Sequence, residues 1–336
     1  MKRVDKMVRL EKRKIGDTSL EIEVLGLGCA PLGGNFVELD YAQGAGVISA
    51  AYEAGLRFFD TAPWYGFGRS ERIVGDLLRS KDCIISSKVG RILKVGAVKN
   101  PSEFGMVDPL PFHPIYDYSY DGIMRAYEDS LQRLGVERLD ILLVHDIGRF
   151  QHGEKNHLHF KDLEMSGYKA MSELRRNGNV KAIGLGVNEN EVCSNALKIG
   201  DWDVFLLAGR YTVLEQTPLK TLFSECEKAK TSIICGGPFN SGILVGREMW
   251  NYAKAPKDLV EKVQNLRRVS DKYNFPLPAA ALQFPLFNPL VSAVIPGART
   301  REEFSQILGW FSTKIPPDFW DELKAEGLID PLAPTS

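Results

Sequence analysis

The chain has 336 residues, with 42 Lys and Arg against 43 Asp and Glu and a formal net charge of −1. Near-neutrality excludes the basic surface that nucleic acid or an acidic membrane requires, and the ordinary apolar and charged fractions exclude a disordered or fibrous chain. No apolar run approaches the roughly 20 residues that span a bilayer, and the charged opening segment 1–15 lacks the apolar centre of a signal peptide.

In chain order, residues 8–24 alternate around Gly16-Asp17 and predict an N-terminal β-hairpin. A first strand follows at 24–27 and an amphipathic helix at 41–54. Arg57-Phe58-Phe59 predicts a strand ending at Asp60, 69–79 a helix, and 83–85 a strand ending near Lys88. Residues 90–118, rich in Gly, Pro and aromatics, read as a long loop. In 120–134 Ile123, Tyr127, Leu131 and Leu134 recur at helical spacing, and Gly135 follows as a C-cap. The apolar strand 139–144 stops at His145. The polar stretch 146–160, with His152, His157 and His159, reads as a second, solvated loop. Strands at 180–187, 203–207, 232–235 and 291–295 then alternate with helices at 161–176, 190–198, 218–229, 257–273 and 301–310.

Unbroken apolar strands suit a parallel sheet buried on both faces. About eight βα units without linker or repeat predict an α/β fold. The expected form is a (β/α)8 TIM barrel, one domain over 1–336, with the N-terminal hairpin and long loops over the C-terminal mouth. The tail after Pro316 is expected to pack over that mouth. Cys29, Cys83, Cys193, Cys226 and Cys235 form an odd set without a C-x-x-C pair, and read as buried reduced thiols of a cytoplasmic protein. The three histidines of 146–160 lack a nearby cysteine or regular helical spacing, so no metal is expected.

Asp60, Lys88 and His145 each fall at the C-terminal end of an apolar strand, and in a barrel those ends converge on the face that carries active sites. Tyr65, in the loop DTAPWYGFG, reaches the same mouth. A free tyrosine titrates near about 10, and a lysine beside it favours the phenolate and lowers that value. Asp60 supplies the counter-ion of Lys88, and His145 donates a hydrogen bond to the substrate oxygen. This set predicts proton transfer coupled to hydride transfer at a carbonyl or carbinol carbon, with a cofactor carrying the hydride. Trp64 and Tyr116 are candidates for the substrate pocket, beside Tyr65 and His145, although simple packing explains them equally. GLGCAP, from Gly26 to Pro31, lacks the third glycine of a dinucleotide fingerprint and reads as the end of the first strand.

Four ordered motifs carry a family resemblance: GLRFFDTAPWYGFGRSERIVGDLL from Gly55 to Leu78, SSK from Ser86 to Lys88, LDILLVHD from Leu139 to Asp146, and VIPGARTREEF from Val294 to Phe304. Together they resemble the aldo-keto reductases over about 15–325. The resemblance implies a nicotinamide cofactor lying extended across the C-terminal mouth without a Rossmann domain, and Asp60, Tyr65, Lys88 and His145 as catalytic residues. It implies cofactor contacts from Gly28, Asp60, Asn188, Pro238, Asn240 and Gly242, together with Ile295, Gly297, Arg299, Glu303 and Gln306.

The chain departs from the family pattern at Val187, Ala208 and Gly236, where a serine, a glutamine and a nicotinamide-stacking aromatic are usual. Gly297 and Glu303 stand where NADP-specific relatives place a lysine and an arginine. Acidic Glu303 leans the expectation slightly to NAD over NADP, with Arg299 and Arg301 near enough to offset it. LLAGRYT, GGPFNSG and SSKVGR resemble the sugar-oxidising branch, with pyridoxal-oxidising dehydrogenases as near relatives. The expected reaction is oxidation of an aldose at its anomeric carbon to a lactone, with Tyr65 as phenolate taking the proton. Pyridoxal oxidation, aldehyde or ketone reduction, and a cofactor-binding regulatory subunit without turnover are the alternatives. The expected partner is a small aldose or aldehyde, with neither nucleic acid nor membrane.

Overall fold

The apolar runs assemble into one parallel sheet. The computed structural model describes residues 10–336, so residues 8 and 9 of the expected hairpin and residues 1–9 of the charged opening segment lie outside the described residues. The strands are β1 Leu27–Gly28, β2 Phe58–Asp60, β3 Ile84–Val89, β4 Ile141–His145, β5 Ala182–Val187, β6 Val204–Ala208, β7 Ser232–Gly236 and β8 Val291–Ile295. Each pairs in parallel with its neighbours in the chain. Bonds from Gly26 N–H to Val294 O (3.0 Å) and from Gly28 N–H to Pro296 O (2.9 Å) join the last strand to the first. The result is a (β/α)8 barrel.

Helices α1 Tyr41–Glu53, α2 Arg69–Leu78, α3 Tyr120–Leu134, α4 Tyr168–Arg176, α5 Asn190–Ala196, α6 Leu222–Ala229, α7 Leu277–Gln283 and α8 Arg301–Phe311 surround it. Side chains of Asp40, Ser119 and Thr300 cap α1, α3 and α8, each accepting a backbone N–H three residues on. Gly135, at φ 66°, ends α3. The barrel interior is filled by Phe58, Ile141, Leu143, Val204, Leu206 and Ile234, packed on Ile15, Leu20 and Ile22 of the hairpin. Those three hairpin side chains, at about 1.5–3 kcal/mol each, plug the floor. Arg13 bonds Leu286 O and Val291 O (2.9 and 2.8 Å), and Gly16 N–H bonds Ser232 Oγ (2.7 Å), so the hairpin covers the end where strands begin. The opposite end stays open for a site.

The structure corrects several boundaries. Residues 90–118 are not a plain loop: Arg91–Val95 and Phe112–Tyr116 pair antiparallel, and the Gly and Pro residues lie mainly in the connection between them. Residues 146–160 are largely helical. Arg149–His152 and Asn156–Asp162 lead through a π turn, Leu163–Gly167, into α4. His152 and His159 pack there against Tyr116 and Tyr118, edge-on or tilted, rather than standing in solvent. Helix 257–273 forms as Lys257–Lys272 but pairs with a C-terminal helix, Pro317–Ala325, while the short apolar α7 packs against α8. The tail is therefore held beside the barrel by buried Phe319, Trp320 and Leu323, and no residue beyond Trp310 lines the mouth cavity. Among the described residues, no helix is long and apolar enough to cross a membrane. Cys29, Cys193, Cys226 and Cys235 are buried, Cys83 is half-buried, and all five are free thiols.

Candidate active site

Barrel geometry brings the strand-end residues together. Asp60 ends β2, Lys88 is the penultimate residue of β3, His145 ends β4, and Asn188 follows β5 directly. Lys88 is 1% exposed and places all three ammonium protons: on Asp60 Oδ2 (2.7 Å), Thr61 O (2.9 Å) and Tyr65 Oη (3.2 Å). Ser86 Oγ donates to the other Asp60 oxygen at 2.7 Å. Glycine at 186 leaves room for the lysine stem, since a Cβ there would stand 3.0 Å from Lys88 Cε.

Tyr65 is fixed through its backbone. A Cβ on Gly33 would lie 2.4 Å from the Tyr65 carbonyl carbon, and one on Gly66 (φ +64°) would lie 2.5 Å from Gly33 O. The loops after β1 and β2 therefore interlock only with glycine at both positions. Gly33→Ala should shift Tyr65, costing about 1–3 kcal/mol of stability and up to about 100-fold in kcat/KM. Thermal denaturation and steady-state kinetics check both; unchanged kinetics would show that this interlock does not set the position of Tyr65.

The electrostatics depart from the expectation at one point. Burial, then Asp60 and Asp146, push the Tyr65 phenol well above its ordinary value, against a smaller lowering by Arg91. The Lys88 ammonium, paired with Asp60 at 2.7 Å, does not outweigh burial and the two carboxylates. The phenol is thus neutral at physiological pH in the ligand-free protein. His145 is also neutral: burial, then Arg91 and Lys88, hold it well below the usual imidazole range. Its Nδ1 is buried without a partner, and its Nε2 faces Asp146 Oδ2 at 3.4 Å.

A cavity of about 630 Å³ opens on this cluster. Every residue that the family resemblance assigned to the cofactor lines it, from Gly28 and Asp60 to Glu303 and Gln306, and so does Tyr65. Trp64 and His145, expected against the substrate, are not on its wall. Trp64 lies under the Arg91 guanidinium (4.1 Å from the ring centre) and against Phe67 and Phe104. Buried His145 stands edge-on to Tyr65, ring centres 6.0 Å apart. Tyr116 is likewise off the wall, packed on His152 and accepting from Gln151 Nε2 at 3.0 Å. Arg301 lies beside Gly46 on α1, away from the cavity that Arg299 reaches.

The cavity's chemistry fits an extended dinucleotide. Part of its wall is bare backbone at Gly209, Gly236 and Gly237, and Arg247 and Arg299 also line it. Arg299 Nε and Asn240 Oδ1 are buried with no partner, as donor and acceptor atoms awaiting a ligand are. Glu303 accepts from Arg299 N–H at 2.7 Å and faces Arg247 at 3.7 Å.

Sequence reasoning missed four residues. Asp146, with φ 40°, accepts from Arg91 Nη2 (2.7 Å) and Asn188 Nδ2 (3.2 Å). Phe36 and Tyr252 stack at 6.4 Å on the rim, and Tyr252 Oη bonds Asn188 Oδ1 at 3.3 Å. The opposite charges ending SSKVGR and LVHD were the available signal for Arg91 and Asp146. Among the described residues, no group of three or more His, Cys, Asp or Glu could hold a metal.

Residues 24–326 match the aldo/keto reductase family. The chain is 42% identical over 335 residues to pyridoxal 4-dehydrogenase of Microbacterium luteolum, covering 95% of this chain and 98% of that protein. It is 33% identical over 325 residues to D-threo-aldose 1-dehydrogenase of a Pseudomonas species, covering 92% and 95%. Among solved structures, aldo-keto reductase AKR11C1 from Bacillus halodurans, in its holo form, has the same fold: TM-score 0.75, 21% identity, 96% of this chain and 97% of that one.

Proposed function

The chain belongs to the aldo/keto reductase family and is an NAD(P)-dependent oxidoreductase, and from that premise we propose that it oxidises the ring hemiacetal carbon of a small substrate to a lactone. The observation that carries this reading is the Tyr65 phenol on the cavity wall, 3.2 Å from a fully buried lysine. Bound oxidised nicotinamide supplies the hydride acceptor and a positive charge. As the carbinol C–H pair leaves as hydride, the O–H electrons form the new C=O, and Tyr65, in the ionised form that this positive charge and rising pH favour, takes the proton. Lys88 stabilises the phenolate through Oη, while Asp60 and Thr61 O hold Lys88 in place. Neutral His145, edge-on to Tyr65, has a single proton to give, on Nε2, and donating it to the substrate oxygen replaces the 3.4 Å contact with Asp146 Oδ2.

Of the two hemiacetals expected from the sequence, pyridoxal is the better candidate. The relative named for it is the more similar of the two dehydrogenases. The stacked Phe36 and Tyr252 at the rim offer flat apolar surfaces that suit an aromatic ring. The test is a panel of pyridoxal, aldoses of the L-fucose, D-arabinose and L-galactose type, and simple aldehydes, with NAD and with NADP. Reduced nicotinamide should form fastest with pyridoxal. Rapid reduction of simple aldehydes with no oxidation of any hemiacetal would reject the reading, and cofactor binding without any turnover would favour a regulatory subunit.

NAD is proposed ahead of NADP. Glu303 offers a carboxylate that accepts from ribose hydroxyls and repels a phosphate, held by the Arg299 backbone N–H (2.7 Å) and facing the Arg247 guanidinium at 3.7 Å. Glu303→Ala should therefore shift the NAD-to-NADP ratio of kcat/KM about tenfold toward NADP, equivalent to about 1.4 kcal/mol. An unchanged ratio would remove Glu303 from discrimination.

A further inference from the structure

We propose that Arg91 and Asp146 act as a buried positioning pair that holds His145 and Asn188 as one unit. The proposal rests on the oxidoreductase reading of the site. Arg91 opens the antiparallel hairpin two residues past β3, and Asp146 is the first residue past β4, so each sits just beyond a strand that carries a reactive group. Arg91 is 1% exposed. Its Nη2 donates to Asp146 Oδ2 (2.7 Å) and Gln151 Oε1 (3.1 Å), and its plane rests on Trp64.

Asp146 distributes that charge. Its Oδ1 receives the Asn188 amide at 3.2 Å, and its Oδ2 stands 3.4 Å from His145 Nε2. One carboxylate thus touches the hairpin after β3, the end of β4 and the residue after β5. Its non-glycine backbone in the left-handed region (φ 40°) is the strain accepted to aim it there.

The groups around His145 make this pair the adjustable one. Lys88 reaches it from β3, Tyr65 from the loop after β2, and Arg91 from the hairpin; Tyr118 Oη bonds its backbone oxygen at 2.8 Å. Arg91, and less so Lys88, disfavour the imidazolium by their charge. Asp146 stands opposite, and its carboxylate keeps the single ring proton on Nε2 because Nδ1 meets no partner.

Imidazole nitrogen-15 spectra of the full chain test this without any substrate, with His145 assigned by the signals lost in His145→Gln. The wild-type ring should stay neutral with Nε2–H across about pH 5 to 8. In Arg91→Gln the unpaired carboxylate should raise the ring's titration midpoint by about one pH unit or more, and the acid limb of kcat/KM should move up with it. Arg91→Lys should restore the neutral ring. In Asp146→Asn the midpoint should not rise, the tautomer should mix, and KM for the cofactor should increase as Asn188 loses its anchor. If Arg91→Gln does not fold, Arg91→Gln/Asp146→Asn leaves no unpaired charge and should show the neutral ring with the raised cofactor KM. Wild-type titration and tautomer in both single variants would overturn the proposal. Failure of the oxidoreductase reading is separate: it shows as absent turnover in the wild type with this spectroscopic signature intact.

Discussion

Replacing Tyr65 by phenylalanine is expected to lower kcat for hemiacetal oxidation by about 10²–10⁴-fold while leaving the dissociation constant for NAD(P) nearly unchanged. The substitution removes the one hydroxyl on the cavity wall that Lys88 contacts and little of the volume. The pH profile gives the sign of the effect. Burial and the neighbouring carboxylates raise the phenol, so its base form grows as pH rises. Oxidation by the wild type should therefore climb from neutral into alkaline solution, while carbonyl reduction, which needs the protonated phenol, should stay level over the same range. Tyr65→Phe should flatten the oxidation limb. A variant that keeps nearly the wild-type rate and profile would mean that another group moves the proton.

Lys88→Met is expected to destabilise the fold by about 3–5 kcal/mol, the usual cost of leaving one member of a buried ion pair without the other. Asp60 is 2% exposed, so water does not replace the lost ammonium, and only Ser86 Oγ remains on the carboxylate. Activity should fall as far as in Tyr65→Phe, because the phenolate loses its cation. Lys88→Met/Asp60→Asn removes both charges, and should regain much of the stability without regaining activity. Denaturant unfolding of the three proteins gives the comparison. A stable, active Lys88→Met would contradict the role of the pair.

Much of this was legible in the residues because barrel strands are buried on both faces. Runs such as 139–144 stand out as continuous apolar stretches, and the polar residue that breaks each run marks the mouth. That is why Asp60, Lys88 and His145 could be placed near one another before any coordinates. The seventh barrel helix was missed for the same physical reason inverted: α7 is apolar on nearly all sides and shows no amphipathic period. Helix Lys257–Lys272 shows that period because its outer side meets solvent, and so drew the assignment. The direction of the Tyr65 shift was not legible either. It depends first on the depth of burial and then on Asp60 and Asp146 outweighing the nearby cations, which follow from packing rather than from order along the chain. Arg91 and Trp64 make the same point. Each lies in one of the motifs, and only the fold brings the guanidinium onto the ring and takes Trp64, expected in the substrate pocket, off the cavity wall.

The most direct measurement follows the label in pyridoxal deuterated at its hemiacetal carbon. Direct hydride transfer in the site around Tyr65 and Lys88 predicts that the deuterium is recovered at one face of C4 of the reduced nicotinamide, with a primary isotope effect on kcat/KM wherever the chemical step limits it. Deuterium released to solvent, or oxidation that proceeds without reduced nicotinamide, would contradict hydride transfer from a ring hemiacetal as the reaction of this site.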